Sequence, residues 1–392
     1  MTIGGGVHPW SLPTTLHTAA LSGHVPPAIA QILVKRGIET PQALDLLLDP
    51  PHKLPYDPLR ISGMDTALKR LYAAVNNQER VGIFGDFDVD GITGTAIISE
   101  GLTALGVPVS PYLPHRVDEG HGLSNAAIDT LAEEGVTLIV TVDTGITSFD
   151  EVDYAKSRGV DVIITDHHLP HDGVPNAVTA LNPKVPGGDY PFFELCGAGI
   201  GFKLVQGLFE FYGQPWDPGL LELAALGTIA DLVPLRDENR ILARYGLKHL
   251  AHEPGLGLEA LISVSGIDVG SQLEGDDINF RLAPRINACG RLDKPEVATE
   301  LLLNEDANAC RALARQMDDF NLERRKIEAD LTTEAVALAE ERFSNKPAVV
   351  ACGKGNHWNP GVVGIVAGKL ASNLGKPCIV LAEDGEQCKG SG

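Results

Sequence analysis

Three short apolar runs each end in acidic or imidazole side chains: VGIFGDFDVDG (81–91), LIVTVDTG (138–145) and VDVIITDHH (160–168). Each run is rich in Val and Ile and is followed by a helix-like stretch, the pattern of strands buried on both faces of a parallel sheet. Strands in such a sheet share one carboxyl edge, and ligands bind in the crevice outside it. Asp86, Asp88, Asp143, Asp166, His167 and His168 can therefore meet at one place, although 82 positions separate the first from the last.

The alternation around these runs extends the α/β reading. It gives strand 81–85, helix 94–105, strand 108–112, helix 125–134, strand 137–142, helix 148–158, and strands 160–165 and 177–181. Such alternation predicts a parallel sheet. Residues 1–60 are Pro-rich, with helix-like pieces at 26–37 and 41–50, and read as an accessory segment. From about 197 to 303 the periodicity is helical, through GFKLVQGLFEFYG (201–213), PGLLELAALGTIAD (218–231) and ARYGLKHLA (243–251), so helices are expected to cover the sheet within a domain spanning 61–305. Residues 306–341 hold no Gly or Pro and predict one connector helix of roughly 50 Å. KPAVVAC (346–352), GVVGIVAGKLASNLG (361–375) and KPCIVLAE (376–383) then make a second β-α-β unit. It stops at KGSG without a closing element, so a smaller α/β domain, 345–392, is expected to be incomplete.

Composition narrows the class. With 392 residues, 44% of them hydrophobic, the chain can bury a sizeable core in two or three domains. No apolar run approaches the roughly 18 residues of a membrane span, and MTIGGGVHPW lacks the features of a signal peptide, which places the chain in the cytoplasm. The six cysteines (196, 289, 310, 352, 378, 388) form no C-x-x-C pair, so free thiols are expected rather than a disulfide frame or zinc ribbon. The net charge of −21 disfavours a polyanion at long range. A local basic strip or bound divalent cations can still hold a phosphodiester. FRLAPRINACGRLDK (280–294), with Arg281, Arg285, Arg291 and Lys294 against Asp293, reads either as such a strip or as a solvated face.

The acidic motifs have ordinary readings that must be weighed. In an EF-hand frame starting at Asp86, Ile97 falls where the bidentate Glu is required, and a strand precedes the loop, so a calcium loop is rejected. Asp-Thr-Gly alone is turn chemistry, but here it follows LIVTV. Adjacent His167 and His168 in an extended segment point to opposite sides, so one can ligate a metal while the other faces a substrate. CGAGIGF (196–202) has no strand before it and fits tight backbone packing better than a dinucleotide loop. Two carboxylates about 4 Å apart repel by about 4 kcal/mol at an effective dielectric of about 20, so the cluster needs cations. Three Asp and a fourth from the helical region would neutralise two divalent ions. Oxygen-rich ligation with one imidazole suits Mn²⁺, or Mg²⁺, better than structural Zn²⁺, and two such ions support phosphate hydrolysis.

At these residues the chain resembles the DHH phosphoesterase superfamily, whose name is spelled by Asp166-His167-His168. Beyond D-x-D-x-D-G, D-T-G and D-H-H, GTIADLVPL (227–235) matches the family segment that supplies a further metal-binding Asp, here Asp231. PHRVDEGHGLS (114–124), LNPK (181–184), CGAGIGFKL (196–204), APRINACGRL (283–292) and PGVVGIVAGKL (360–370) are similar to the RecJ branch, and the likeness runs from about 60 to 392. It implies a two-metal 5′→3′ exonuclease that degrades single-stranded DNA to mononucleotides in repair and recombination, with single-strand-binding protein and helicase partners. It assigns Asp86, Asp88, Asp143, His167 and Asp231 to the metals, with Asp143 as a bridge. His168 is placed at the scissile phosphate, as acid or as electrostatic stabiliser, while Asp90 and Asp166 orient ligands. Arg116 and Arg285 or Arg291 are candidates to hold DNA phosphates, and Ser391 of KGSG a 5′-phosphate. The Gly-Gly-His segment and oligonucleotide-binding fold of bacterial members are absent from this sequence, so weakened DNA binding is expected. A DHH-type hydrolase of short oligonucleotides or cyclic dinucleotides shares the metal chemistry, but the basic segment and long connector argue against it. A catalytically silent Cdc45-like scaffold would have lost ligands that are all present here.

Overall fold

The computed structural model describes residues 18–116, 119–355, 357–385 and 387–392, together with the short strands β1 (Thr2–Ile3) and β2 (Trp10–Ser11). Val117 and Asp118 of the PHRVDEGHGLS segment, and most of MTIGGGVHPW, lie outside the described residues. Two compact units divide the chain, Met1–Leu54 and Pro55–Gly392. In the first, β1 and β2 pair antiparallel. Helices α1 (Pro27–Lys35) and α2 (Pro41–Leu48) each start on a proline, whose missing N–H is no loss in a first turn. Leu21, Ala30 and Leu44 form the small core of this unit. The boundary falls before position 60 because the turn Pro58–Arg60 packs against helices of the second unit.

The second unit opens with α3 (Met64–Asn77) and is built on a five-stranded parallel sheet. Its strands are β3 (Arg80–Gly85), β4 (Val109–Tyr112), β5 (Val136–Val142), β6 (Asp161–Thr165) and β7 (Thr179–Leu181), in the order β4-β3-β5-β6-β7. Helices α5 (Asn125–Glu133) and α6 (Phe149–Ser157) cover one face, where Ile128, Leu131, Val152 and Ala155 pack with Phe84, Ile139 and Ile164. Against the other face lie α4 (Val89–Ala104) and α7 (Gly197–Phe211). Helix α4 has no continuous polar face and is buried almost throughout, its Asp90, Thr93, Thr95 and Ser99 included.

The register decides where the acids go. Gly85 pairs with Val142, Val142 with Thr165, and Thr165 with Leu181, so the strands end level. The next residue of each continues the ladder: Asp86 donates its amide to Val142 O (3.2 Å), Asp143 to Thr165 O (3.0 Å) and Asp166 to Leu181 O (3.2 Å). Helix α4 starts at Val89, well before the expected position 94. Asp88 caps it, its Oδ1 accepting from Asp90 N (2.9 Å) and Gly91 N (3.1 Å), so that V-D-G forms a first turn instead of a loop.

A helical layer follows: α8 (Leu220–Ala230), α9 (Asp237–His252), α10 (Leu256–Val264), the single turn α11 (Gly275–Asp277) running into a π-helical turn Ile278–Leu282, α12 (Ala283–Arg291) and α13 (Glu296–Leu303). Helix α14 (Ala307–Phe343) has 37 residues and is about 55 Å long. It packs on α10, α12 and α13 and also on the β-α-β unit made by β8 (Val349–Gly353), α15 (Val363–Leu374), β9 (Cys378–Asp384) and β10 (Gln387–Ser391). That sheet has the order β10-β9-β8, and its inner residues Val349, Ala351 and Val380 meet Leu331, Ala335, Val366 and Leu370. All six cysteines are free, and Cys196, Cys289, Cys310 and Cys378 are buried. Among the described residues no helix is long and apolar enough to cross a membrane.

One buried ion pair ties α7 to α9. Lys203 Nζ bonds Glu238 Oε1 (3.2 Å) and Tyr56 O (2.6 Å), Tyr190 donates to Glu238 Oε2, and both charged residues are 0% exposed. Removing one member leaves the other charge buried and uncompensated. Lys203→Met should lower the unfolding free energy by about 3–5 kcal/mol in urea denaturation, and adding Glu238→Leu should recover most of the loss.

Candidate metal centre

Asp143 sits just past β5 with φ 60, a left-handed conformation that an Asp tolerates. Helix α7 backs it closely. A Cβ at Gly197 would lie 2.5 Å from the Asp143 Cβ, so glycine is required there. The same helix start holds Asp90, whose Oδ2 accepts from Gly197 N (2.6 Å) and Oδ1 from Ala198 N (2.8 Å). The CGAGIGF segment thus packs tightly, as expected, and also supplies amide donors to a carboxylate 1% exposed.

A cavity of about 740 Å³ opens at the edge, lined among others by Asp86, Asp88, Asp143, His167 and His168. Asp231, at the C-terminal end of α8, joins them from the helical layer. His167 Nε2 lies 3.0 Å from Asp143 Oδ1, 3.7 Å from Asp231 Oδ2 and 3.9 Å from Asp90 Oδ2. Three overlapping sets of ligand atoms fall within 4.8 Å: Asp86, Asp88 and Asp143; Asp143, His167 and His168; Asp90, His167 and Asp231. Asp143 belongs to two of them, the position a bridging carboxylate must occupy. Asp166 stands behind the site, accepting from Ile146 N (2.9 Å), His168 N (3.0 Å) and the His168 ring at Nδ1 (2.8 Å).

Without cations this arrangement is frustrated. Burial, then the charges of Asp90 and Asp86, push the Asp88 carboxyl up to about 7. Burial, then Asp90, Asp88 and Asp86, raise Asp143 well above the usual carboxylate range, and burial raises Asp231. Asp86 Oδ1 is buried without a hydrogen-bond partner, and Asp143 Oδ1 faces His167 Nε2 without the alignment of a hydrogen bond. Buried oxygens that lack donors are what a divalent cation satisfies, and these oxygen donors with one imidazole suit Mn²⁺ or Mg²⁺. Burial also lowers His167, keeping it neutral as a ligand must be. His168 goes the other way: its hydrogen bond to Asp166 raises it and favours the imidazolium. Burial alone would raise Asp166, but the bonds from His168 outweigh it and hold that carboxyl low.

The basic candidates separate in space. The Arg116 guanidinium lies over Phe87, 4.7 Å from the ring centroid, within the field of Asp86 and Asp88. Arg291 donates to Gly361 O (3.0 Å), and burial, then the charges of Arg116 and Arg324, push it down to about 10. Arg285 is fastened to α14 through Asp318 (2.9 Å from its Nε) and to Arg281 O, so it is spent on helix packing. Ser391 lies on β10 beside Gly364 at the start of α15. A second cavity of about 370 Å³ is lined by Leu232, Phe280, Asn287, Arg291 and Arg324, and Phe280 and Leu232 are 75% and 77% exposed. Sequence reasoning passed over Asn182 and Lys184. Asn182 bonds His168 O (2.8 Å) and Lys184 lines the metal cavity, and the signal was LNPK at the end of another strand of the same edge.

The proton on Asp88 generates a pH prediction. Its carboxyl moves from 3.8 to about 7 on folding without metal, so the folded state holds a proton that the unfolded state releases. This contribution to stability is full below the unfolded value and is lost as pH rises through about 7. The melting temperature of metal-stripped protein should therefore carry a decreasing contribution between pH 5 and 8. Saturating Mn²⁺ should raise the melting temperature more at pH 8 than at pH 6, since the ion must displace that proton.

Residues 80–228 match the DHH family, N-terminal domain. The single-stranded-DNA-specific exonuclease RecJ of Bacillus subtilis is 44% identical over 94% of this chain, which spans 46%, about half, of that relative. The Escherichia coli protein of the same name is 37% identical over 96% of this chain and 67% of its own length. The crystal structure of RecJ from Thermus thermophilus in complex with Mn²⁺ superposes with a TM-score of 0.79 at 33% identity, covering 93% of this chain and 51% of that one. Agreement of this extent, in sequence and in fold, means that the chain belongs to the RecJ family.

Proposed function

We propose that this chain is a two-metal-dependent 5′→3′ exonuclease that hydrolyses single-stranded DNA to mononucleotides, in DNA repair and recombination. The observation that carries the reading is the meeting of Asp86, Asp88, Asp143, His167 and Asp231 at one sheet edge, with Asp86 Oδ1 and Asp143 Oδ1 buried and without a hydrogen bond, in a chain whose relatives are named single-stranded-DNA-specific exonucleases. Asp86, Asp88, Asp143, His167 and Asp231 would hold two ions, Mn²⁺ by preference or Mg²⁺, with Asp143 between them. Bound there, the ions supply an activated water and neutralise charge on the phosphate. Asp90 and Asp166 orient these ligands, Asp90 through the amides of Gly197 and Ala198 and Asp166 through the loop and ring of His168. With its Nδ1 held, His168 presents Nε2 and a positive charge to the scissile phosphate.

The rest of the molecule supports a strand-binding role around that centre. Residues 55–305 would carry the chemistry, 306–341 the connection and 345–392 part of the strand-binding surface, following residues 1–54 as an accessory segment. Arg116 and Arg291 flank the Asp88 side, where they would hold phosphates, and Ser391 beside α15 would take a 5′-phosphate. Exposed Phe280 and Leu232 next to Asp231 offer apolar surface on which unpaired bases can stack. Arg285, already paired with Asp318, is the weaker phosphate candidate. A single-strand-binding protein and a helicase are the partner classes such a substrate implies, and the cytoplasm is the compartment.

The test follows 5′-labelled single-stranded DNA in Mn²⁺, with duplex and short-oligonucleotide controls. The wild-type chain should release labelled mononucleotide early and leave duplex intact. Asp143→Ala should lower the rate by at least about a thousandfold while retaining the fold, as loss of a metal-bridging carboxylate requires. Cleavage confined to oligomers of a few nucleotides would favour the short-substrate hydrolase. No metal binding and no cleavage would sink the reading.

A further inference from the structure

Resting on the phosphodiester chemistry proposed above, we infer that Lys184 is a phosphate-binding residue of the site, its ammonium taking a non-bridging oxygen beside the Asp-His-His segment. Strand β7 ends at Leu181, and the next side chain, Asn182, is only 2% exposed. Its Nδ2 donates to His168 O (2.8 Å) and its Oδ1 accepts from Lys184 N (2.9 Å). One buried amide therefore fixes the backbone of Lys184 against the Asp-His-His segment. A lysine on an ordinary surface turn has no such clamp.

Lys184 lines the metal cavity and, among the described residues, is the one Lys or Arg that does so, beside four Asp and four His. The Asn182 clamp sets it beside His167 and His168, which line the same cavity. Yet among the described residues it makes no ion pair with these carboxylates. When divalent cations neutralise the carboxylates, the nearest uncompensated anion for the ammonium is the phosphate they hold. Arg116, within the field of Asp86 and Asp88, stands by the other metal-binding set. Charge in a phosphoryl-transfer transition state spreads over the non-bridging oxygens, so cations on two sides both position and stabilise it.

Lys184→Met and Lys184→Arg test the inference. Binding of thymidine 5′-monophosphate to Mn²⁺-loaded protein is measured by calorimetry, beside kcat and KM on a single-stranded oligonucleotide. Lys184→Met should weaken mononucleotide binding about tenfold, the size of one charge-assisted hydrogen bond, with Mn²⁺ affinity little changed. Oligonucleotide affinity should fall less steeply with salt, the slope in log–log form dropping by about 0.7. Lys184→Arg, which keeps the charge, should stay within about threefold of wild type. Should Lys184→Met lose its fold, Lys184→Gln takes its place. Wild-type binding and salt slope in the Met variant, or lost Mn²⁺ affinity with unchanged mononucleotide binding at saturating metal, would overturn the inference. A wild-type chain that binds the mononucleotide through Lys184 but cuts no DNA would uphold it and remove the nuclease reading. Neither binding nor cleavage would remove both.

Discussion

The hydrogen-bond ladder of the larger sheet runs one residue beyond its strands. Through it Asp86, Asp143 and Asp166 give their amides to Val142, Thr165 and Leu181, and acids from three separate stretches of chain come to stand at strand spacing, about 4.8 Å. Each carboxylate is then treated differently. Asp90 receives two helix amides and Asp166 receives an imidazole and two amides, which satisfies them within the protein. Asp86 and Asp143 are each left with a buried oxygen that accepts no hydrogen bond and faces a histidine ring, His121 at 3.6 Å and His167 at 3.0 Å. The difference between satisfied and unsatisfied carboxylates separates the residues that orient the site from those that call for cations.

How much of this could be read beforehand depended on whether a feature is local. The strands were legible because short runs of Val and Ile have the length and the β-branched content of buried strands, and α14 because no Gly or Pro interrupts it. The start of α4 was not, since D-V-D-G spells a turn until Asp88 is seen capping the helix. The partner of Asp90 could not be found by pattern: Gly197 lies 107 positions away and contributes only a backbone N–H. The basic strip hid a similar ambiguity. Arg285 and Arg291 occupy one helix, yet one is consumed by Asp318 and the other faces a cavity with Arg324, a distinction made by what packs against α12.

Net charge proves a poor guide to such a site. The chain carries −21 overall, but near the acidic cluster burial, and then the charges of Arg116 and Arg324, loosen the hold of Arg291 on its proton. Guanidinium groups crowded and partly buried in this way gain by meeting an anion. A protein that repels polyanions at a distance can thus hold one at short range, where salt screens least.

Helix α14 carries three grips at fixed intervals. Asp318 holds Arg285 of α12, Glu328 holds Arg324 on its own helix and Lys369 of α15, and Glu334 holds the indole of Trp358. Each added or lost residue in a helix turns everything beyond it by about 100° and shifts it by about 1.5 Å. A single insertion between Asp318 and Glu328 would swing the β10 strand with Ser391 out of line with Arg291 while leaving Asp86, Asp88, Asp143 and Asp231 in place. The helix is therefore a length standard: its exposed residues can be exchanged without moving either end, but the count of residues between those grips cannot be changed without moving one.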